Sequence, residues 1–548
     1  MNTYHLCLEV RLAWNETRTS SLREGLLSPV LEELSVTGAA DPTVSVNFAE
    51  PWARMLFALR SSEPLETKVG AVDRFFRQIE GRYLKRCRDE IQQLVGEEKS
   101  IRKERLSTLV GAFCSYILNA GYTPRHISRV LFAHFFGKEV KGAPVRELQA
   151  FFAEFSGREK AFDVFMVVTD HLEVAAGGRD FENYSGKLPR AASRTEVFRL
   201  KGDTQERIAK FPSVVAFDEF GAVEQVEAKM ALVRAVAYTA RPDVILDWQD
   251  EAIVVSPDNA SGVLITGRGE PLRQRYRDQA DYDYRAIGDK KRAVFETELP
   301  PADANRLRNA LLGYANAFHS ESPATQLVAL WSALEGLLPA SSSLNRIDTV
   351  VKYALACQRR LYLRNLLRWS FLDHHAVDGV RFFELLDKAA GFSERLAKFV
   401  SILCFPSDPN LSHALGALAS PSPLTTQRGF RLHKASKQVR DLLNLVDAHE
   451  QRVDWQLRRI YRERNRIVHR ADPSANVKTL ILNLNEYIAT IFGVLFAPDD
   501  TRPYALGLDG VFESVYLDEQ LRKGQAEKLS KEALSAGNAS IVLGFRLV

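Results

Sequence analysis

The segment Arg452–Arg470, Arg-Val-Asp-Trp-Gln-Leu-Arg-Arg-Ile-Tyr-Arg-Glu-Arg-Asn-Arg-Ile-Val-His-Arg, places the tightest constraint on what this chain can build. Leu457, Ile460, Tyr461, Ile467 and Val468 recur at three- and four-residue intervals, the period of an amphipathic helix. Arg464 falls on the same stripe. A guanidinium on a face turned towards a core is costly unless an acid or hydrogen-bond acceptors meet it. The segment therefore requires a helical bundle with a polar element inside it. Seven arginines (Arg452, Arg458, Arg459, Arg462, Arg464, Arg466, Arg470) lie here against only Asp454, Glu463 and Asp472. That density suits a phosphate chain, which gains ion pairs and releases counterions. The plainer reading is a solvated basic helix face.

The order Arg464-Asn465-x-x-x-His469 carries the chemistry. Cleaving RNA without a metal needs a base for the 2′-OH, an acid for the leaving 5′-oxygen and positive charge on the phosphorane. His469 can supply base or acid, because an imidazole changes charge near neutral pH. Arg464 can supply the charge, its planar fork matching phosphate oxygens. Asn465 does not titrate, so its expected role is to orient the phosphate or the imidazole; four residues before His469, it is expected on the same helical face. Arg464 and His469 are five residues apart, about 140° around a helix of 3.6-residue turn. They meet on one phosphate only if the helix end unwinds or a second protomer contributes.

This pattern, preceded by Tyr461-Arg462-Glu463-Arg464 and followed by a long apolar helix, resembles the signature of HEPN-domain proteins, the Apea-like branch in particular. The stretch Leu327-Val328-Ala329-Leu330-Trp331-Ser332-Ala333-Leu334-Glu335-Gly336-Leu337-Leu338 resembles the early HEPN helix, whose Trp-x-Ala-Leu-Glu run carries an inward-facing acid. The resemblance spans residues 300 to 498. It implies a metal-independent endoribonuclease that needs no cofactor, leaves a 2′,3′-cyclic phosphate and works as a homodimer with two motifs facing across a cleft. It also implies a cytoplasmic prokaryotic stress or phage-defence effector acting on tRNA or other RNA. The site so implied comprises Arg464, His469, Asn465 and Glu335, with Arg458, Arg462, Arg466 and Arg470 holding the RNA. Glu335 shares a stripe with Val328, Trp331 and Leu338, and is expected to pair with Arg464 or polarise His469. The plainer version is a structural buried ion pair.

The sequence is open to other readings. A HEPN-type module can bind RNA or protein without cutting, and Arg464 can be a satisfied arginine in a scaffold. Asp218 with Glu227-Ala228-Lys229 matches a loose metal-nuclease pattern in which two carboxylates hold Mg²⁺. Asp373-His374-His375 lacks the upstream acids of a metal phosphoesterase, and no Gly-x-x-x-x-Gly-Lys-Ser/Thr loop supports ATP binding.

Bulk properties set the frame. At 548 residues the chain suggests two to four domains. It is 46% hydrophobic and 26% charged, with no run of about eighteen apolar residues for a membrane span. The net charge of +4 is a small difference between 73 basic and 69 acidic residues. Cys7, Cys87, Cys114, Cys357 and Cys404 are scattered, which favours buried thiols in a reducing compartment over a disulfide frame or zinc site. The first residues lack a basic and then apolar secretory pattern.

The expected fold is mainly α and multidomain: a helical N-terminal region over 1–158, a mixed α/β region over 159–298, a HEPN-like helical bundle over 299–500 and a tail over 501–548. Tyr4, Leu6, Leu8, Val10 and Leu12 alternate, so residues 1 to 14 read as a strand. Val72, Phe75, Phe76, Ile79, Tyr83 and Leu84 mark a helix. In the middle region the period shortens at 162–168, 197–200, 214–217, 243–248 and 252–255, which reads as strands. The pieces 177–191 and 257–291 read as connections. The ending from Ile541 to Val548 looks like a buried strand. The N-terminal half, larger than a nuclease needs, is the expected sensor of a phage or cellular trigger.

Overall fold

The computed structural model describes residues 1–19, 27–96, 103–136, 144–169, 182–184, 206–240, 247–257, 259–266, 299–320, 322–340, 345–389, 391–405, 409–474, 476–496, 507–545 and 547. Most of these residues are helical, with one small antiparallel sheet. They form two compact units, Met1–Asp278 with Ser474–Asn476, and Gln279–Pro473 with Val477–Val548.

The first unit opens on a helix, Thr3–Thr19, not the strand expected from alternation. Leu6, Cys7, Val10 and Ala13 are buried while Leu12 is 54% exposed, so burial follows the helical period. Cys7 and Ala13 complete a helical stripe that the alternating set leaves out. Further helices follow, among them Leu65–Ile79, which buries Val69, Val72, Phe75, Phe76 and Ile79. Pro124–Phe135 is capped by Thr123, whose side chain accepts from His126 N–H.

Among the described residues five strands pair in the order β2-β3-β1-β4-β5: β1 Lys160–Thr169, β2 Glu182–Asn183, β3 Glu206–Ala216, β4 Trp248–Ser256 and β5 Asn259–Thr266. Every pairing is antiparallel. Central β1 is buried from Val164 to Val168, which explains its continuous apolar run. Strand β5 corrects the reading of this stretch as a connection. Its polar start and Gly262 hide it, and that glycine, at φ +76°, sits where a Cβ would press on Ile253 and Val255. The expected strand at 197–200, residues 243–246, and most of 177–191 and 257–291 lie outside the described residues.

The helix Glu219–Ala240 lays Ala222, Val223, Val226 and Met230 in one core with Phe162, Val164 and Met166 of the sheet. Helical and sheet regions are tied together: Asp218 accepts from Thr123, Tyr122 packs on Phe217 at 5.2 Å, and Arg125 donates to Thr266 O at 2.7 Å. The boundary expected at 158/159 thus falls inside one compact unit.

The second unit is helical among the described residues. Pro323–Leu337 and Val477–Leu495 are its most apolar members; the former buries Leu327, Leu330, Trp331, Leu334 and Leu337. Both pack against Val439–Arg470, and the long Arg346–Val377 helix packs against Val439–Arg470 and Val477–Leu495. Phe382, Phe399 and Leu403 belong to a second core, which also takes in Ala526 and Val542 from the end of the chain. Residues from 507 onward are therefore part of this unit and not a separate tail. The terminal strand expected from Ile541 is instead a short helix, Ala539–Leu543, stopped by Gly544 at φ +78°. No helix among the described residues is long and apolar enough to cross a membrane.

Candidate functional site

Two helices build the candidate site. Pro323–Leu337 begins with Ser322 capping Thr325 N–H and proline in its first turn, which sets the helix start. Trp331 then points wholly inward, at 0% exposure, and one turn later Glu335 is half-buried. From the other side Val439–Arg470 presents Tyr461 and Arg464. The Trp331 and Tyr461 rings lie 5.6 Å apart. On the next rung Glu335 Oε2 lies 3.8 Å from Arg464 Nη2. The two segments that carry the HEPN resemblance are thus packed against each other at two successive turns.

The carboxylate of Glu335 is shared. Its Oε1 lies 4.0 Å from Nε of Arg346, and Arg346 is itself fastened to the Pro339 carbonyl at 2.7 Å and to the backbone carbonyl of Glu335. At these separations the ion pairs act through charge and not through direct hydrogen bonds. Arg346 is the residue sequence reasoning missed. Nothing in its local spacing marks it, since it faces Glu335 only after the chain has turned between helices.

Arg464 Nη1 donates to Asn465 Oδ1 at 2.9 Å, while Nε is buried with no hydrogen-bond partner among the described residues. A guanidinium has five N–H donors, so Arg464 keeps unused donor capacity beside its acid. Asn465 is buried, at 9% exposure, and His469 is exposed. Both lie in the unbroken helix four residues apart, hence on one side of it, but at the helix end the bundle covers Asn465 and leaves His469 in solvent. The helix runs unbroken to Arg470 and closes at Ala471, in left-handed conformation at φ 52°. No unwinding brings Arg464 and His469 together within one chain.

The arginines divide by environment. Arg458 donates to Asp348 at 2.9 Å and to Asp454 at 2.8 Å; burial works against its charge, but these two acids outweigh it and hold its pKa above the ordinary value. Arg466 makes a two-pronged contact with Asp472 at 3.2 and 2.5 Å. Burial pulls Arg462 down to about 10, with Glu463 opposing, which still leaves it charged at neutral pH. Arg470 is exposed at the helix end, and Arg459 is buried. The excess of positive charge around Arg464 is smaller than the local sequence suggests, because Glu335 and Asp348 arrive from distant helices.

The metal-nuclease reading meets a different geometry. Asp218 is 1% exposed and accepts from Thr123 N–H at 2.7 Å, Thr123 Oγ1 at 3.1 Å and Gly221 N–H at 2.8 Å. One oxygen caps the Glu219–Ala240 helix through Gly221, and both oxygens are taken up by Thr123. Glu227 is half-buried on that helix and Lys229 is exposed. Among the described residues no group of three or more acids, histidines or cysteines is gathered as a metal site. His374 is buried with Nδ1 2.7 Å from Ser370 O, a structural histidine.

No protein-family model, curated protein or solved structure matches the chain.

Proposed function

We propose that the protein is a metal-independent endoribonuclease of the HEPN type. The observation that carries this reading is the placement of Glu335 against Arg464, with Trp331 against Tyr461, which joins the two resembling segments into one polar element inside a helical bundle. His469 stands five residues on, exposed at the end of the same helix, where a substrate can reach it.

In this reading Arg464 stabilises charge on the phosphorane and His469 moves the proton to or from the reacting oxygen. Glu335 and Asn465 do not touch the RNA. They fix the guanidinium, one by charge and the other by a hydrogen bond. Because the helix does not unwind, one phosphate is reached by Arg464 of one protomer and His469 of another, so the active form is a dimer. Arg458, Arg462, Arg466 and Arg470 then steer the RNA backbone. The reading further takes the protein as a cytoplasmic anti-phage or stress effector acting on tRNA or another RNA, with its first unit sensing the trigger.

The test is incubation of the wild-type and His469→Ala proteins with total tRNA and a single-stranded RNA in excess EDTA. Cleavage by the wild type alone supports the reading. Binding of RNA by both proteins with no cleavage by either, under conditions that release any inhibition, identifies a binding module instead.

A further inference from the structure

The first unit holds a cavity of about 570 Å³ whose walls come from the Tyr83–Gly96, Lys103–Ala120 and Pro144–Ala153 helices and from Phe217. That volume suits a small organic molecule. Lys85, Arg88 and Gln92 line it from one stripe of a single helix, at turn spacing. Gln149 and Tyr116 face it from the other helices, and Asp89 is the acid in its wall.

Arg88 is the unusual member. Its guanidinium carbon lies 5.6 Å from the Phe113 ring and 5.6 Å from the Phe152 ring. Nη2 donates to Phe155 O at 2.6 Å, and Nε is buried with no hydrogen-bond partner among the described residues. Burial lowers its pKa, and the groups that oppose this are Tyr122, Cys87 and Tyr116, with no carboxylate among them. A half-buried cation is normally met by an acid. Here the rings hold the guanidinium in place and supply part of the compensation. The remainder of its field reaches the cavity, where exposed Lys85 adds a second positive charge.

We propose that this cavity binds a small aromatic anion of mononucleotide size, with the phosphate on Lys85 and Arg88 and the ring against Tyr116 and Phe217. The side-chain amides of Gln92 and Gln149 each offer a donor and an acceptor, the complement a base edge requires. Gly121, at φ +113°, makes room for the Phe217 wall: a Cβ there would stand 2.7 Å from that ring. The proposal concerns the first unit alone and does not depend on the ribonuclease reading.

The experiment is calorimetric titration of the full chain with the four ribonucleoside 5′-monophosphates, the matching nucleosides and inorganic phosphate. At least one nucleotide should bind, with its nucleoside and inorganic phosphate each weaker by about tenfold or more, because each lacks half of the contacts. Arg88→Gln and Lys85→Gln should each weaken that nucleotide by about tenfold, the loss of one charge-assisted contact. Lys85 is exposed, so its variant keeps the test sound if Arg88→Gln does not fold. Absence of nucleotide binding by the wild type, wild-type affinity in Lys85→Gln, or equal affinity for inorganic phosphate alone would each overturn the proposal.

Discussion

Glu335 and Arg464, carried by different helices, meet inside the second unit with Oε2 and Nη2 3.8 Å apart, and Arg346 completes a cation–carboxylate–cation line at 4.0 Å on the other oxygen. Removing the acid leaves two guanidinium groups facing each other without their shared counter-charge. Glu335→Gln is therefore expected to lose about 1 kcal/mol of stability, a modest amount because all three side chains retain some solvent contact. RNA cleavage is expected to fall by at least about tenfold, since a guanidinium displaced by an ångström no longer meets the phosphate. Urea unfolding and single-turnover cleavage of the same preparations check both parts. Undiminished cleavage by this variant would make the pair structural only.

The side chain of His469 is exposed in the last turn of its helix. His469→Ala is accordingly expected to keep its stability to within about 0.5 kcal/mol, as surface substitutions do, while losing cleavage. A variant whose melting temperature drops sharply would show that the histidine supports the fold.

Asn465 is buried and accepts from Arg464. Asn465→Ala removes that acceptor and leaves a small gap, with an expected cost of about 1–2 kcal/mol. Asn465→Asp should restore the acceptor and recover much of the cleavage lost in the alanine variant. Equal cleavage by the wild type and the alanine variant would remove Asn465 from the site.

How far this site is legible in the sequence depends on the kind of signal. Arg464 at the apolar face announces itself because three- and four-residue spacing survives in the linear chain. Its partner Glu335 is legible only through the Trp-x-Ala-Leu-Glu resemblance, and Arg346 and Asp348 not at all, since their relevance comes from helix packing. The N-terminal helix and β5 are misread for opposite reasons. Alternation in Tyr4, Leu6, Leu8, Val10 and Leu12 mimics a strand until Cys7 and Ala13 are counted, and the polar opening of Asn259–Thr266 hides a strand whose Val263 and Leu264 pair with Val254 and Ile253. Burial of Asn465 beside exposed His469 shows a further limit: at a helix end the bundle, and not the helical period, decides which residue meets solvent.

Asp218 offers a prediction for the first unit. With three donors on a carboxylate 1% exposed, Asp218→Ala is expected to destabilise by about 2–4 kcal/mol, through a lost cap and buried donors left unmet. Added Mg²⁺ should not change the stability of the wild type. A stable Asp218→Ala protein that has lost a Mg²⁺-dependent cleavage would favour the metal-nuclease reading over the HEPN one.

His449 links stability to pH. It stacks on Tyr362 at 4.0 Å, and burial, helped by Arg452, pulls its pKa down to about 4. The unfolded chain takes up a proton near pH ~6.5 while the folded one stays neutral, so acid favours unfolding. The stabilising contribution is complete above that value and is lost as pH falls towards about 4. Discounted for partial exposure, it amounts to roughly 1–3 kcal/mol. Melting temperature measured from pH 7 to pH 4 should fall less steeply in His449→Phe, which keeps the stacking and cannot titrate. Parallel curves would contradict the assignment.

The most direct measurement is end-group analysis of products from an RNA and from the same RNA carrying a 2′-deoxy sugar at the cleaved position, both in excess EDTA. The account predicts 2′,3′-cyclic phosphate ends from the first substrate, no cut at the substituted position in the second, and no cleavage of either by His469→Ala. Cleavage that needs a divalent metal, that proceeds at the deoxy position, or that persists without the histidine would contradict it.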